Sequence, residues 1–74
     1  MRDYEVRTRD RKTDAFKGWV KVADLPTHAL YWLRDECDWS NPAPETISRN
    51  DATPEAIRDR VEVEITARAL EGRL

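Results

Sequence analysis

From Leu25 onward, apolar residues recur at the spacing of one helical face. At about 100° per residue, Leu25, Ala29, Leu30, Trp32, Leu33 and Cys37 share a broad stripe, while His28, Tyr31 and Asp35 fall opposite. This predicts one amphipathic helix over residues 24–39. Asp24 is placed to cap it, and Pro26 suits its first turn, where no intrahelical donor is needed. Upstream the period changes to two. Tyr4, Val6 and Thr8 alternate with Glu5, Arg7 and Arg9, and after a polar turn Phe16, Gly18, Val20 and Val22 alternate with Lys17, Trp19 and Lys21. These read as two strands of a hairpin, with Gly18 on the inward face leaving room for a large side chain such as Trp32. Trp39, just past the helix, either folds back on Leu33 or Cys37 as a lid over the core or stands exposed beside Asp35, Glu36 and Asp38.

The C-terminal third admits two periodicities. Thr53, Pro54 and Glu55 form a helix start: cap, proline, first-turn acid. Continued as a helix, Ile57, Val61, Val63, Ile65 and Leu70 scatter around the wheel. Read as a strand, Val61, Val63, Ile65, Ala67 and Ala69 point one way and Glu62, Glu64, Thr66 and Arg68 the other, and the β-branched content agrees. The expectation is therefore a short helix at 54–60 and a third strand at 61–69. The long connection between the helices holds one large apolar residue, Ile47, which should pin it to the core. The predicted fold is a single α+β domain over residues 1–74. It is a small three-stranded antiparallel or mixed sheet in ββα-α-β order, covered on one face by one main helix.

With 74 residues there is no room for a second core. Charged residues make up 38% of the chain, yet the aromatic and β-branched content is too high for disorder. The net charge of −2 hides a segregation that changes the picture more. Residues 1–23 carry seven basic and four acidic groups, residues 24–46 one and five, and residues 47–74 five and six. The chain is thus a dipole in sequence, with a basic beginning and an acidic middle. Asp35, Glu36 and Asp38 even place acid at the helix end, where the macrodipole is already negative. Either solvent screens that arrangement or it serves a basic partner.

Candidate chemistry is sparse. Two glycines cannot build a phosphate-cradling loop, and one histidine without a second cysteine supplies neither a His-based nor a CxxC metal site. Cys37 cannot form an internal disulfide and reads as a small buried hydrophobe. No nucleophile is paired in sequence with His28 as a base, so neither catalytic residues, metal nor cofactor are expected, and the chain is not read as an enzyme. Residues 1–5 lack the apolar run of a signal peptide, and no apolar run could span a bilayer, so the expected location is the cytoplasm without membrane association.

What remains is binding. The outward sheet face would present Trp19 between Lys17 and Lys21, with Arg7 and Arg9 on the neighbouring strand and Glu62, Glu64, Thr66 and Arg68 on the third. A second surface would be the acidic corner of Asp35, Glu36, Asp38 and Trp39. Trp19 either lies over the aliphatic stems of its neighbours, with opposite charges laddered across the strands, or anchors a protein interface, and a protein partner is expected. The alternative is nucleic acid stacked on Trp19 with phosphates held by Arg7, Arg9, Lys17 and Lys21, a reading that acids on the same face weaken. Homodimerisation through a sheet edge is a further option. In overall style (small, charged, Trp-rich, without catalytic residues) the chain resembles phage- or prophage-encoded proteins that bind and modulate a host complex. The expected function is a non-enzymatic binding module of that inhibitory or modulatory kind.

Overall fold

The computed structural model describes residues 3–74, so the reading of residues 1–5 falls partly outside it. The fold is α+β. Two short strands, β1 (Glu5–Val6) and β2 (Val20–Lys21), pair antiparallel. A 3₁₀ turn at Val22–Asp24 leads to α1 (Thr27–Asp35), which runs on through a π-helical turn at Glu36–Ser40. The one-turn α2 (Pro44–Ile47) and the long α3 (Pro54–Leu70) follow. The α1 helix begins later than expected: Pro26 stands at its N-cap without a side-chain hydrogen bond, and Asp24 closes the 3₁₀ turn instead.

The buried apolar set is Val6, Val22, Leu25, Ala29, Leu30, Leu33, Cys37, Ile47, Ile57 and Val61. The α1 stripe thus faces the core as its spacing requires, except that Trp32 is only half-buried. Ile47 does pin the connection. It does so from within α2, a helix too short for its pattern to register.

The third strand is the main correction. Residues 61–69 are not extended; they are the second half of the 17-residue α3. Thr53 Oγ1 accepts from the N–H of Ala56 at 3.1 Å, Pro54 occupies the first turn, and the helix never breaks. Its buried residues are Ile57, Val61, Glu64 and Arg68, a regular helical stripe of which half is charged. An apolar wheel therefore shows no face. Val63, placed inward by the strand reading, is 63% exposed. The outward set of Glu62, Glu64, Thr66 and Arg68 does not join the sheet at all. Gly72, at φ 71°, ends α3, with Arg73 N–H donating to the Arg68 carbonyl at 2.7 Å and Gly72 N–H to that of Ala69 at 3.1 Å.

The free edge of β1 is covered by the loop after α2. Ser48 lies opposite Val6, Arg7 N–H donates to the Ile47 carbonyl, and Arg49 N–H to that of Glu5. The sheet itself remains two-stranded.

The hairpin departs from strict alternation. Val6 pairs with Val20, so a regular ladder would set Arg9 opposite Lys17, but Arg9 faces Phe16. The return strand carries one extra residue, a bulge. Parity flips there, and Phe16 turns outward beside Trp19 rather than into the core. The space at Gly18 is open surface rather than a slot filled by Trp32: a Cβ there would meet nothing within 4 Å, and Trp32 packs edge-on against His28 at 4.8 Å on α1.

Glu64 is buried with two arginines. Arg68 Nε donates to it at 2.9 Å and Arg60 at 3.1 Å. Arg60 also reaches Asp3, and Arg68 reaches the Ala23 carbonyl and Thr27 Oγ1. Burial raises the carboxyl pKa, but the hydrogen bonds and charges of Arg68 and Arg60 outweigh it and hold the group below its ordinary 4.5. Removing one partner of a buried pair costs about 3–5 kcal/mol, so Arg68→Ala should lose about that much in urea unfolding. Stability contributed by Glu64 is complete above its unfolded pKa and lost as pH falls through the lower folded value. The urea midpoint should therefore drop more steeply below pH 4.5 in the native chain than in Glu64→Gln. Parallel pH curves for the two would show that the pairing contributes nothing.

Candidate functional site

The bulge gathers an arginine–aromatic ladder on the outer face of the hairpin. The Arg7 guanidinium lies 4.4 Å from the Phe16 ring centroid and 5.0 Å from that of Trp19, and Arg9 lies 5.1 Å from Phe16. Arg7 Nε also donates to the Thr46 carbonyl, tying the ladder to α2. Lys17 pairs with Asp10 at 3.7 Å and Arg9 with Asp14 at 3.4 Å. Asp10 in turn accepts from the Lys12 N–H, which with its other partners lowers its pKa below the usual 3.8. Lys21, opposite Glu5 across the strands, is exposed. Trp19 retains 37% of its surface in solvent. Every arginine on this face is thus engaged by a ring, a carbonyl or a carboxylate.

The acidic end of α1 is satisfied from within the chain. Arg11 meets Asp35 at 2.9 Å and Arg9 reaches Glu36 at 3.5 Å, both from the hairpin, while Arg58 of α3 pairs with Asp38. Arg11 also lies 5.7 Å from the Trp32 ring. The unfavourable macrodipole arrangement is therefore neutralised by salt bridges rather than by solvent. It is not an open acidic patch.

Trp39 stands apart. Instead of closing over Leu33 and Cys37 it is 86% exposed. Its backbone is nonetheless held on both sides. Cys37 is buried in the core, Asp38 is tied to α3, and Asn41, in the left-handed region at φ 39°, turns the chain into Pro42, Ala43 and Pro44. A π turn, wider than an α turn, carries the indole away from the core. Of the two readings of Trp39 the lid fails and the exposed corner position holds, because the π turn changes the angular step beyond α1.

Burial pushes the Cys37 thiol up to about 12, with Asp38 and Glu36 adding to the effect, so it is no nucleophile at neutral pH. Among the described residues no group of His, Cys, Asp and Glu is arranged to hold a metal ion. Among the described residues no helix is long and apolar enough to cross a membrane. The structure thus brings Arg7, Arg9 and Trp19 together around Phe16, leaves Lys17 with Asp10 instead, and joins Asp35, Glu36 and Asp38 through arginines. It separates Trp39 from these carboxylates' charge by pairing them elsewhere. Two exposed apolar residues escaped the sequence reading, Val63 and Leu70 on α3. Their spacing of one heptad was the available signal.

No family model matches the chain, and no curated protein or solved structure matches it.

The three tryptophans differ in exposure, which makes the geometry checkable in solution. Trp39→Phe should remove most of the acrylamide-quenchable fluorescence, whereas Trp32→Phe should remove little. The reverse result would place Trp39 on the core.

Proposed function

We propose that this chain is a small non-enzymatic protein-binding module, acting as an inhibitor or modulator by docking on a larger protein, with Trp39 as its anchor. The single observation behind this is a large apolar ring left in solvent on a backbone fixed from both sides. Tryptophan dominates binding energy where a rigid anchor enters a partner pocket, and a pre-held backbone loses little further freedom on docking. The surrounding ion pairs suit the rim of such a contact. They are exposed enough to rearrange, and exposed pairs contribute only about 0–1 kcal/mol each to stability. Asp35 can therefore exchange Arg11 for a basic partner at small cost, while the Asp38–Arg58 pair goes on holding the Trp39 backbone.

The nucleic-acid reading gains no support from the hairpin. A phosphate would have to displace Asp14 and Glu36 from Arg9, Asp10 from Lys17, and two rings from Arg7. Trp19 then acts within the ladder, as a cover over Arg7.

Capture from a lysate of the native host, followed by mass spectrometry and measurement of affinity for the recovered protein, tests the proposal. Trp39→Ala should weaken binding by about 2 kcal/mol or more, roughly 30-fold, with the urea midpoint shifted by no more than an ordinary surface substitution allows (about 0.5 kcal/mol). Binding unchanged in that variant would remove Trp39 as the anchor. A mobility shift with DNA or RNA at low salt would favour the alternative.

A further inference from the structure

We propose that the hollow between Tyr4 and the first half of α3 receives an arginine side chain presented by a partner protein. The inference concerns a different side of α3 from the one that holds the Trp39 corner, and it does not rest on the docking role given above. The hollow has a volume of about 540 Å³, within the roughly 300–1,000 Å³ of clefts that hold ligands. One side of it is α3, through Ala56, Asp59, Arg60, Val63 and Glu64. The other is the start of the chain, through Asp3 and Tyr4. Its walls are tied together before any ligand arrives. Asp3 accepts from Arg60 Nε, from the Tyr4 N–H and from the Ala23 N–H, each at 2.9 Å, which fastens the backbone carrying Tyr4 to the helix.

The occupant follows from charge and from an arrangement the chain already uses. Asp3, Asp59 and Glu64 line the hollow against one cation, Arg60. Asp3 and Glu64 are answered within the chain, by Arg60 itself and by Arg68 behind the wall. Asp59 is exposed and, among the described residues, has neither an ion pair nor a hydrogen bond. One negative charge is therefore left over in a hollow whose other walls, Tyr4, Ala56 and Val63, are apolar bodies. An anion is repelled there. A neutral apolar group would cover the Asp59 carboxylate without pairing it, which costs desolvation. A cation on an apolar stem meets both surfaces. Arginine suits the site better than lysine, because its flat guanidinium lies on a ring while its edge takes a carboxylate. Arg34 shows that combination within the chain: its guanidinium lies 5.1 Å from the Tyr31 ring centroid and 3.4 Å from the Glu62 carboxylate on α3. Tyr4 and Asp59 offer the same two partners to an incoming guanidinium. The source is a polypeptide, because the hollow adjoins at Val63 a second, largely apolar one lined by Glu62, Val63, Thr66, Ala67 and Leu70. A residue flanking the arginine fills it and covers Val63 and Leu70, which a free guanidino compound leaves in water.

The probe is a capped Leu-Arg-Leu tripeptide, titrated to about 10 mM against the backbone amide signals of the chain, with a Kd of about 1 mM expected for so small a ligand. The amides of Tyr4, Ala56, Asp59 and Val63 should shift saturably. Citrulline in place of the arginine keeps its shape and removes its charge, and should weaken binding at least about tenfold, as the loss of a hydrogen bond to a charged group does. Asp59→Asn should do the same with an unchanged circular dichroism spectrum, since that side chain supports nothing else among the described residues. Tyr4→Leu, which keeps an apolar body against the core, should weaken binding about two- to fivefold. Capped arginine alone should bind at least about fivefold more weakly than the tripeptide, having no flanking apolar surface to bury. The absence of a saturable shift, equal binding of the citrulline peptide, or undiminished binding to Asp59→Asn would each overturn the proposal. Capped arginine as tight as the tripeptide would overturn it in favour of a free guanidino compound. A shift seen only in an Arg2→Ala background would overturn it in favour of the chain's own neighbouring arginine.

Discussion

The rest of the fold depends on one buried carboxylate. Glu64 sits between Arg60 and Arg68, four residues before and after it on α3, and those two arginines reach out in turn to Asp3, the Ala23 carbonyl and Thr27. Through this set the long helix is fastened to the start of the chain, to the 3₁₀ turn and to the first turn of α1. Apolar packing alone would allow more latitude. The fully buried core takes Ile57 and Val61 from α3, both in its first half, and the second half adds the partly buried Ile65, so apolar packing holds its rotation less firmly there. Sliding α3 by one turn would strand Glu64 and Arg68 away from their partners in a buried setting, at the several kcal/mol that an unpaired buried charge costs. The network thus selects a single register for the longest element, whether or not it adds net stability.

A second use of charge follows the same logic on the surface. The basic opening segment and the acidic middle are complementary halves of one contact. The tip of the hairpin reaches the end of α1 through Arg9 and Arg11, and α3 completes the neutralisation through Arg58. Individually such exposed pairs are weak. Their placement still matters, because the hairpin is joined by only two residues of regular pairing on each strand. The arginine–aromatic ladder does for its outer half what hydrogen bonds would do in a longer sheet. A segregated charge pattern that invites an external partner is in this chain largely spent internally.

How much could be read from the sequence alone follows from where apolar and charged residues share a face. The α1 stripe, the buried Cys37, the cap and proline that open α3 and the anchor at Ile47 were all legible, because each is a local pattern with one physical cause. The second half of α3 was not. Its inner positions are Glu64 and Arg68, so hydrophobic periodicity fails there and β-branched Val61, Val63 and Ile65 imitate a strand. The spacing of Arg60, Glu64 and Arg68 was the overlooked clue: two overlapping i, i+4 ion pairs favour a helix and mean nothing in a strand. Phe16 escaped for a different reason, since one extra residue in a strand reverses every side chain beyond it and no turn signature marks the place. For Trp39 the lid reading fails because a π turn changes the angular step at the end of a helix whose wheel otherwise continues.

These errors bear on function because each concealed something exposed. With α3 helical, Val63 and Leu70 form a ridge in solvent, and with the π turn in place Trp39 leaves the core. On the helix wheel, Arg58, which ties down the Trp39 corner, stands about 140° around α3 from Val63, so the two exposed features lie on different sides of the same helix.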